Sequence, residues 1–229
     1  MMQLRYSFII PVYQEAEIIN SIVDHLMCLQ EFADAEIIVA DGDPQGCTLK
    51  QISNTSVKKI LSPKGRARQM NCGAAKSSGD ILIFLHADTR LPENALKKIA
   101  TILEDKVIVG GAFDLGIDSE RFAFRVIEKM ASWRSRLTRI PYGDQGIFIK
   151  RDYFRALSGF QDIPLMEDVE LMQRVKRNQG KIFILKEKVK TSPRRWESEG
   201  IIYCTLRNWL LIALYLSGVK PEKLVRLYR

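Results

Sequence analysis

Three short stretches hold side chains that could do chemistry together. His86 and Asp88 stand one residue apart after the apolar run Ile83-Phe84-Leu85, and Pro92, a good first residue for a helix, follows closely. Residues i and i+2 of a strand face the same side, so this spacing aims an imidazole and a carboxylate at one point. A hard divalent cation on phosphate oxygens needs carboxylate ligands and open positions for substrate and water. An imidazole in the set suits Mn²⁺ better than Mg²⁺. The plainer reading has His86 bonded to a loop carbonyl and Asp88 capping the turn. The second stretch is Glu167-Asp168. Adjacent carboxylates repel, but a helix N-terminus tolerates them through its dipole and free N–H groups. They are either ordinary first-turn acids or the site of a general base that takes a hydroxyl proton. The third, Lys64-Gly65-Arg66-Ala67-Arg68-Gln69-Met70-Asn71-Cys72-Gly73, puts basic and small residues at a helix start. That suits a diphosphate, or simply a solvated helix start with close-packing glycines. It is neither G-x-x-x-x-G-K-[ST] nor G-x-G-x-x-G, which excludes a P-loop and a nicotinamide fingerprint.

The elements that must position these groups alternate. Apolar runs predict strands over 6–12, 35–40, 58–61, 80–85 and 107–115. Helical spacing predicts helices over 15–30, 65–77 and 92–103, with His25 on the solvated side of the first. This rhythm implies an α/β fold, a mostly parallel sheet with helices on both faces. Ligands in such sheets sit beyond the carboxyl ends of the strands. Polar groups stand there in three places: Pro11 to Glu15, Asp41-Gly42-Asp43, and His86-Ala87-Asp88. The second half predicts a helix over 121–139 with six basic residues against one acidic. A turn at Gly143-Asp144-Gln145-Gly146, a strand over 147–150, a helix over 166–178 and a strand over 181–185 follow. Arg194-Arg195-Trp196 precedes the last helix.

The 229 residues, 46% hydrophobic, can fill one large α/β domain with a C-terminal extension. A net charge of +8 favours anionic partners. Cys28, Cys47, Cys72 and Cys204 form no C-x-x-C pair, which points away from zinc and disulfides and toward a reducing, cytoplasmic setting. The first apolar run is too short for a signal peptide. Ile201 to Val219 is interrupted by Arg207 and Asn208, a poor membrane span. Residues 190–229 carry eight basic and three acidic residues, with Trp209 and Tyr215. This segment either lies on anionic lipid, at the inner face of the membrane with a lipid-linked acceptor, or packs on the sheet or on a second subunit of a homodimer. The packed arrangement is preferred. Basic residues without interleaved aromatics, and no recognition motif, argue against nucleic acid.

The ordered set P-V-Y-Q-E, A-D-G, G-R-A-R-Q-M-N-x-G, F-L-H-A-D-T and M-E-D-V-E-L resembles family 2 glycosyltransferases of the GT-A fold, over roughly residues 5 to 196. It looks closest to the small bacterial subgroup known as radical-SAM/selenodomain-associated glycosyltransferase-like proteins. The resemblance implies a GT-A domain over 1–196, with a nucleotide-binding half over 1–115 and an acceptor half over 116–196. A helical extension over 197–229 follows. It implies an inverting, metal-dependent transferase that moves one sugar from a nucleotide-diphosphate donor to an acceptor hydroxyl. Pro11, Tyr13 and Glu15 would line the nucleotide pocket, and Asp41 would contact the base. Arg68 would lie near the base or diphosphate, in a loop shaped by Asn71 and Gly73. His86 and Asp88 hold the D-x-D place, so Asp88 would bind Mn²⁺ or Mg²⁺ on the diphosphate. Asp168 would be the catalytic base, with Glu167 beside it. Gly143, Asp144 and Gln145 fall among the acceptor-side loops, and Arg195 and Trp196 match the R-W of Q-x-x-R-W. The departures are His86 for the first aspartate, D-G-D for D-G-S, and Pro193 for the glutamine of Q-x-x-R-W. Two rivals stand beside this reading: a sugar nucleotidyltransferase, and a non-catalytic protein that binds nucleotide sugar or a membrane partner. The first expects a basic Gly-rich loop after the first strand, where this chain has Tyr13-Gln14-Glu15.

Overall fold

The computed structural model describes residues 4–30 and 34–228. The first half runs β1 (Tyr6–Val12), α1 (Ile19–Gln30), β2 (Ala35–Asp41), α2 (Cys47–Gln51), β3 (Lys58–Leu61), α3 (Arg66–Ala75), β4 (Ile81–Phe84), β5 (Thr89–Arg90), α4 (Ala95–Leu103) and β6 (Ile108–Asp114). The second half runs α5 (Phe122–Thr138), β7 (Ile147–Lys150), α6 (Arg151–Ala156), α7 (Glu167–Arg177), β8 (Lys181–Lys188), β9 (Lys190–Thr191), α8 (Arg194–Glu199), α9 (Ile201–Leu216) and α10 (Pro221–Tyr228). A 3₁₀ turn, Gly143–Gln145, precedes β7.

Among the described residues a seven-stranded sheet has the order β3-β2-β1-β4-β7-β6-β8. β1 is parallel to β2 and β4, β2 to β3, and β6 to β8; β7 alone runs antiparallel to its neighbours β4 and β6. This is the α/β, mostly parallel sheet expected from the sequence. Side chains alternate across it. Phe8, Ile10 and Val12 enter one apolar layer with Ile19, Ile22 and Leu26 of α1 and Leu96 and Ile99 of α4. Ile9 enters the layer on the other face, with Met70 of α3 and Leu171 and Val175 of α7. Each such buried side chain stabilises the fold by roughly 1.5–3 kcal/mol. Covered on both faces, the central strands read as unbroken apolar runs.

Several expectations are corrected. The first helix starts at Ile19, because Gln14 takes a left-handed φ of 57° and the Glu15 N–H is bound by Thr48 Oγ1 at 3.1 Å. His25 is half-buried, not solvated: its Nε2 lies 3.0 Å from the Leu91 carbonyl oxygen, and burial pushes its pKa down. β8 runs on to Lys188. The two-residue strands β5 and β9, invisible to periodicity, pair antiparallel through Thr89 and Thr191, whose hydroxyls meet at 3.0 Å. The Ser192 N–H then donates to the Asp88 carbonyl at 3.1 Å. This pair ties the end of β4 to the segment carrying Arg194 and Arg195.

The end of the chain is three helices, and position 196 falls inside α8. One face of α9 packs through Leu211 against Leu224 of α10 and Leu165, just before α7. No helix among the described residues is long and apolar enough to cross a membrane.

Candidate active site

α7 opens after Met166, which holds a left-handed φ of 67°. A non-glycine residue there is uncommon and marks a constrained turn. Glu167 and Asp168 fill the first helical turn, where the dipole favours negative charge. Asp168 Oδ1 accepts the Val169 N–H at 2.7 Å, and Oδ2 accepts the Gly143 N–H at 2.6 Å. A side chain at 143 would sit 3.1 Å from His86 Nε2 and 3.4 Å from Asp168 Oδ2. Glycine therefore lets the group at the end of β4 and the carboxylate of α7 close on one point.

That point opens into a cavity of about 710 Å³, a size typical of small-molecule sites. Pro11 and Glu15 reach it from the end of β1, and His86 and Asp88 from the end of β4. Gly143, Asp144, Glu167 and Asp168 form a second wall, and Arg195 and Trp196 a third. Trp196 packs edge-on against Phe124, with centroids 6.0 Å apart. Arg195 stacks on and hydrogen-bonds Tyr228. Glu15 pairs with Arg194 at 3.2 Å.

Burial, with the Arg66 charge behind it, pushes the His86 pKa down to about 3. The imidazole is therefore neutral at physiological pH and free to offer a lone pair. Asp88 faces the same cavity with a carboxylate. Among the described residues no three His, Cys, Asp or Glu side chains gather closely enough to hold a metal ion themselves. Asp88 and His86 would suit a divalent ion only as a partial ligand set, with diphosphate oxygens and water needed to complete it. Burial pushes the Glu167 carboxyl up; Arg66, 3.6 Å away, opposes this and the Asp168 charge adds to it.

Asp144 is pushed up to about 6, mainly by burial, against the pull of Arg134. Its Oδ1 is buried without a hydrogen-bond partner. The folded protein thus holds a proton that the unfolded chain releases near pH 3.8. The associated stability is complete below that pH and is lost as pH rises through about 6. Asp144→Asn is expected to raise stability at pH 7.5 by about 2 kcal/mol, or roughly 5 °C in Tm, and to leave it unchanged at pH 4. Thermal melts of both proteins at the two pH values check this. An equal gain at pH 4 would point to packing instead.

Five of the expected site residues stand outside the cavity walls. Asp41 is fully buried, and its oxygens accept the N–H groups of Asp43 at 2.9 Å and Thr48 at 3.2 Å, so it organises the loop after β2. Asn71 clamps Phe160 with two hydrogen bonds, to its carbonyl at 2.8 Å and from its N–H at 2.9 Å. Arg68 turns outward to Asp162 at 2.7 Å. Tyr13 is exposed, with Lys64 Nζ 3.8 Å above its ring. Gln145 is fully buried and bonded on all sides, which corrects its placement among acceptor contacts.

The cavity also holds residues that sequence reasoning missed. Arg66, not Arg68, faces it. Two steps along a helix turn the side chain by about 200°, so only one of the pair can look inward. The buried neighbours Ala67 and Met70 fix which. Arg134 stacks on Tyr142 at 3.1 Å, and nothing in the charge run of α5 singled it out. α9 and α10 supply Asn208, Trp209 and Tyr228 to the same walls.

The mostly parallel α/β sheet, mixed at β7 and flanked by helices, has the GT-A architecture of its glycosyltransferase neighbours. Residues 7–159 match the family described as Glycosyl transferase family 2, and the chain belongs to that family. No curated protein matches it in sequence. Among solved structures, S. aureus TarS 1-349 superposes with a TM-score of 0.62 at 13% identity, covering 98% of this chain and 69% of that one. TarS 1-349 in complex with UDP-GlcNAc gives 0.61 at 14%, covering 82% and 58%. The mannosyltransferase PcManGT from Pyrobaculum calidifontis, in complex with GDP-Man and Mn²⁺, gives 0.63 at 18%, covering 82% and 56%. The chain spans 42% of the longer TarS chain.

Proposed function

We propose that the chain is an inverting glycosyltransferase that moves one sugar from a nucleotide-diphosphate donor to an acceptor hydroxyl. The observation that carries this is the shared cavity: Asp168, held by the Gly143 N–H, faces the same space as His86 and Asp88. Asp168 takes the acceptor proton, and the acceptor oxygen attacks the anomeric carbon opposite the leaving group. The bond from that carbon to the diphosphate oxygen breaks, and its electron pair leaves with the nucleoside diphosphate. Asp88 and His86 would hold a divalent ion, which would supply positive charge for the departing diphosphate. Arg66 faces the same space as a second positive charge. The match to the radical-SAM-associated subgroup remains part of this proposal. Four free cysteines support a reducing, cytoplasmic setting.

Calorimetric titration with UDP, GDP and dTDP, each with Mn²⁺ and with EDTA, tests the donor site. One nucleotide is expected to bind only with metal, and Asp88→Asn to weaken that binding at least about tenfold. Metal-independent binding, or none, would sink the site at Asp88.

A further inference from the structure

Two helices carry large apolar side chains at the surface. α5 turns outward a stripe of large apolar side chains, Phe122, Val126, Met130, Trp133 and Leu137, spaced by three and four residues. Phe122 is 81% exposed, and Trp133 and Leu137 are each 69% exposed. Such spacing puts them on one line along the helix. α9 does the same with Ile202, Leu206 and Leu210. Soluble monomers rarely leave so much contiguous apolar area uncovered.

Both helices border the active-site cavity, α5 with the side away from its apolar stripe. α5 gives it Ile127, Ala131 and Arg134, and α9 gives it Asn208 and Ile212. Trp209 is at once a wall of the cavity and 47% exposed, so the cavity meets the surface on the apolar side of α9. Charge separates the candidate occupants. Arg121, Lys129 and Arg139 flank the α5 stripe, are exposed, and make no ion pair among the described residues. A two-fold contact of this face with itself would bring those like charges together. An anionic surface would neutralise them.

We infer that α5 and α9 form a docking surface for an anionic phospholipid bilayer, with the cavity mouth turned toward the headgroups. The apolar stripes enter the acyl boundary, and the basic residues meet lipid phosphates. The acceptor is then a lipid-borne hydroxyl that reaches Asp168 from the membrane; that part rests on the proposed glycosyl transfer. In the C-terminal segment Arg194 pairs with Glu15, and Arg195 and Arg207 pair with Glu199, whereas Lys190, Lys220, Lys223 and Arg226 are exposed and make no ion pair among the described residues.

Co-sedimentation of the full chain with vesicles tests this, using phosphatidylglycerol and phosphatidylcholine in equal parts against phosphatidylcholine alone. The chain is expected to partition onto the anionic vesicles and to be released by salt. Trp133→Asp with Leu137→Asp, and separately Arg121→Glu with Lys129→Glu, are each expected to cut partitioning at least about tenfold. Nucleotide binding in lipid-free buffer should be unchanged in both variants. No partitioning of the wild-type chain would overturn the inference. So would equal partitioning by the variants, or a concentration-dependent dimer that Trp133→Asp dissolves in place of vesicle binding. Vesicle binding by a chain that binds no nucleotide would leave the docking surface standing and remove the enzymatic reading.

Discussion

Asp168→Asn is expected to lower the transfer rate about 10²–10⁴-fold while leaving donor affinity within about twofold. The substitution keeps the shape of the side chain and removes its ability to take a proton. Asp168 accepts N–H groups on both oxygens, from Val169 and from Gly143. An amide places its one carbonyl oxygen on one of these donors and turns its NH₂ toward the other. Some local loosening therefore accompanies the lost base, and the comparison with donor binding separates the two. A collapse of both kcat and nucleotide affinity would assign Asp168 to holding the Gly143 turn. Activity equal to wild type would remove it from the base role altogether. Asp168→Glu gives a control: it restores basicity but misplaces it, and is expected to recover only a small fraction of the rate.

Gln145→Leu is expected to destabilise the fold by about 3–5 kcal/mol. Gln145 is fully buried at the junction of α5, β6 and the turn that carries Gly143. Its Oε1 accepts from Ser135 at 2.7 Å, from Arg134 at 3.1 Å and from the Tyr142 N–H at 3.1 Å. Its Nε2 donates to the Phe113 carbonyl at 2.9 Å. Leucine fills a similar volume but leaves the Tyr142 N–H and the Phe113 carbonyl unmatched, while Ser135 keeps the Ala131 carbonyl and Arg134 keeps Ser135. Urea unfolding measures the loss; a change under about 1 kcal/mol would mean that water replaces the network. Transfer activity should fall as well in the fraction that stays folded, because the same residue fixes Arg134 and the turn that bonds Asp168.

The contrast between Gln145 and Asp168 shows what could be read from residue order. Both belong to recognisable motifs, G-D-Q-G and M-E-D-V-E-L. Helical periodicity places Asp168 in a first turn, and its polarity there demands either solvent or a cavity. No period distinguishes a glutamine that faces a ligand from one that faces four partners on α5, on β6 and in its own turn. Asp41 shows the same limit within one loop. It stands at the carboxyl end of a parallel strand, where ligands gather, yet its oxygens are satisfied by the loop that follows it.

The sequence by itself determined the alternation of strands and helices, hence the α/β sheet, and the placement of His86, Asp88 and the Glu167-Asp168 pair at element ends. Those follow from local periodicity and from the preference of carboxylates for helix N-termini, and both act within a few residues. Only the tertiary structure decided which of Arg66 and Arg68 faces the cavity. It also decided that the β5–β9 pair ties residue 89 to residue 191, and that α9 and α10 close over the site instead of trailing from it. Each of those outcomes depends on contacts between segments far apart in the chain. Such contacts are chosen by how the whole sheet buries its two faces, a free energy that no local window contains.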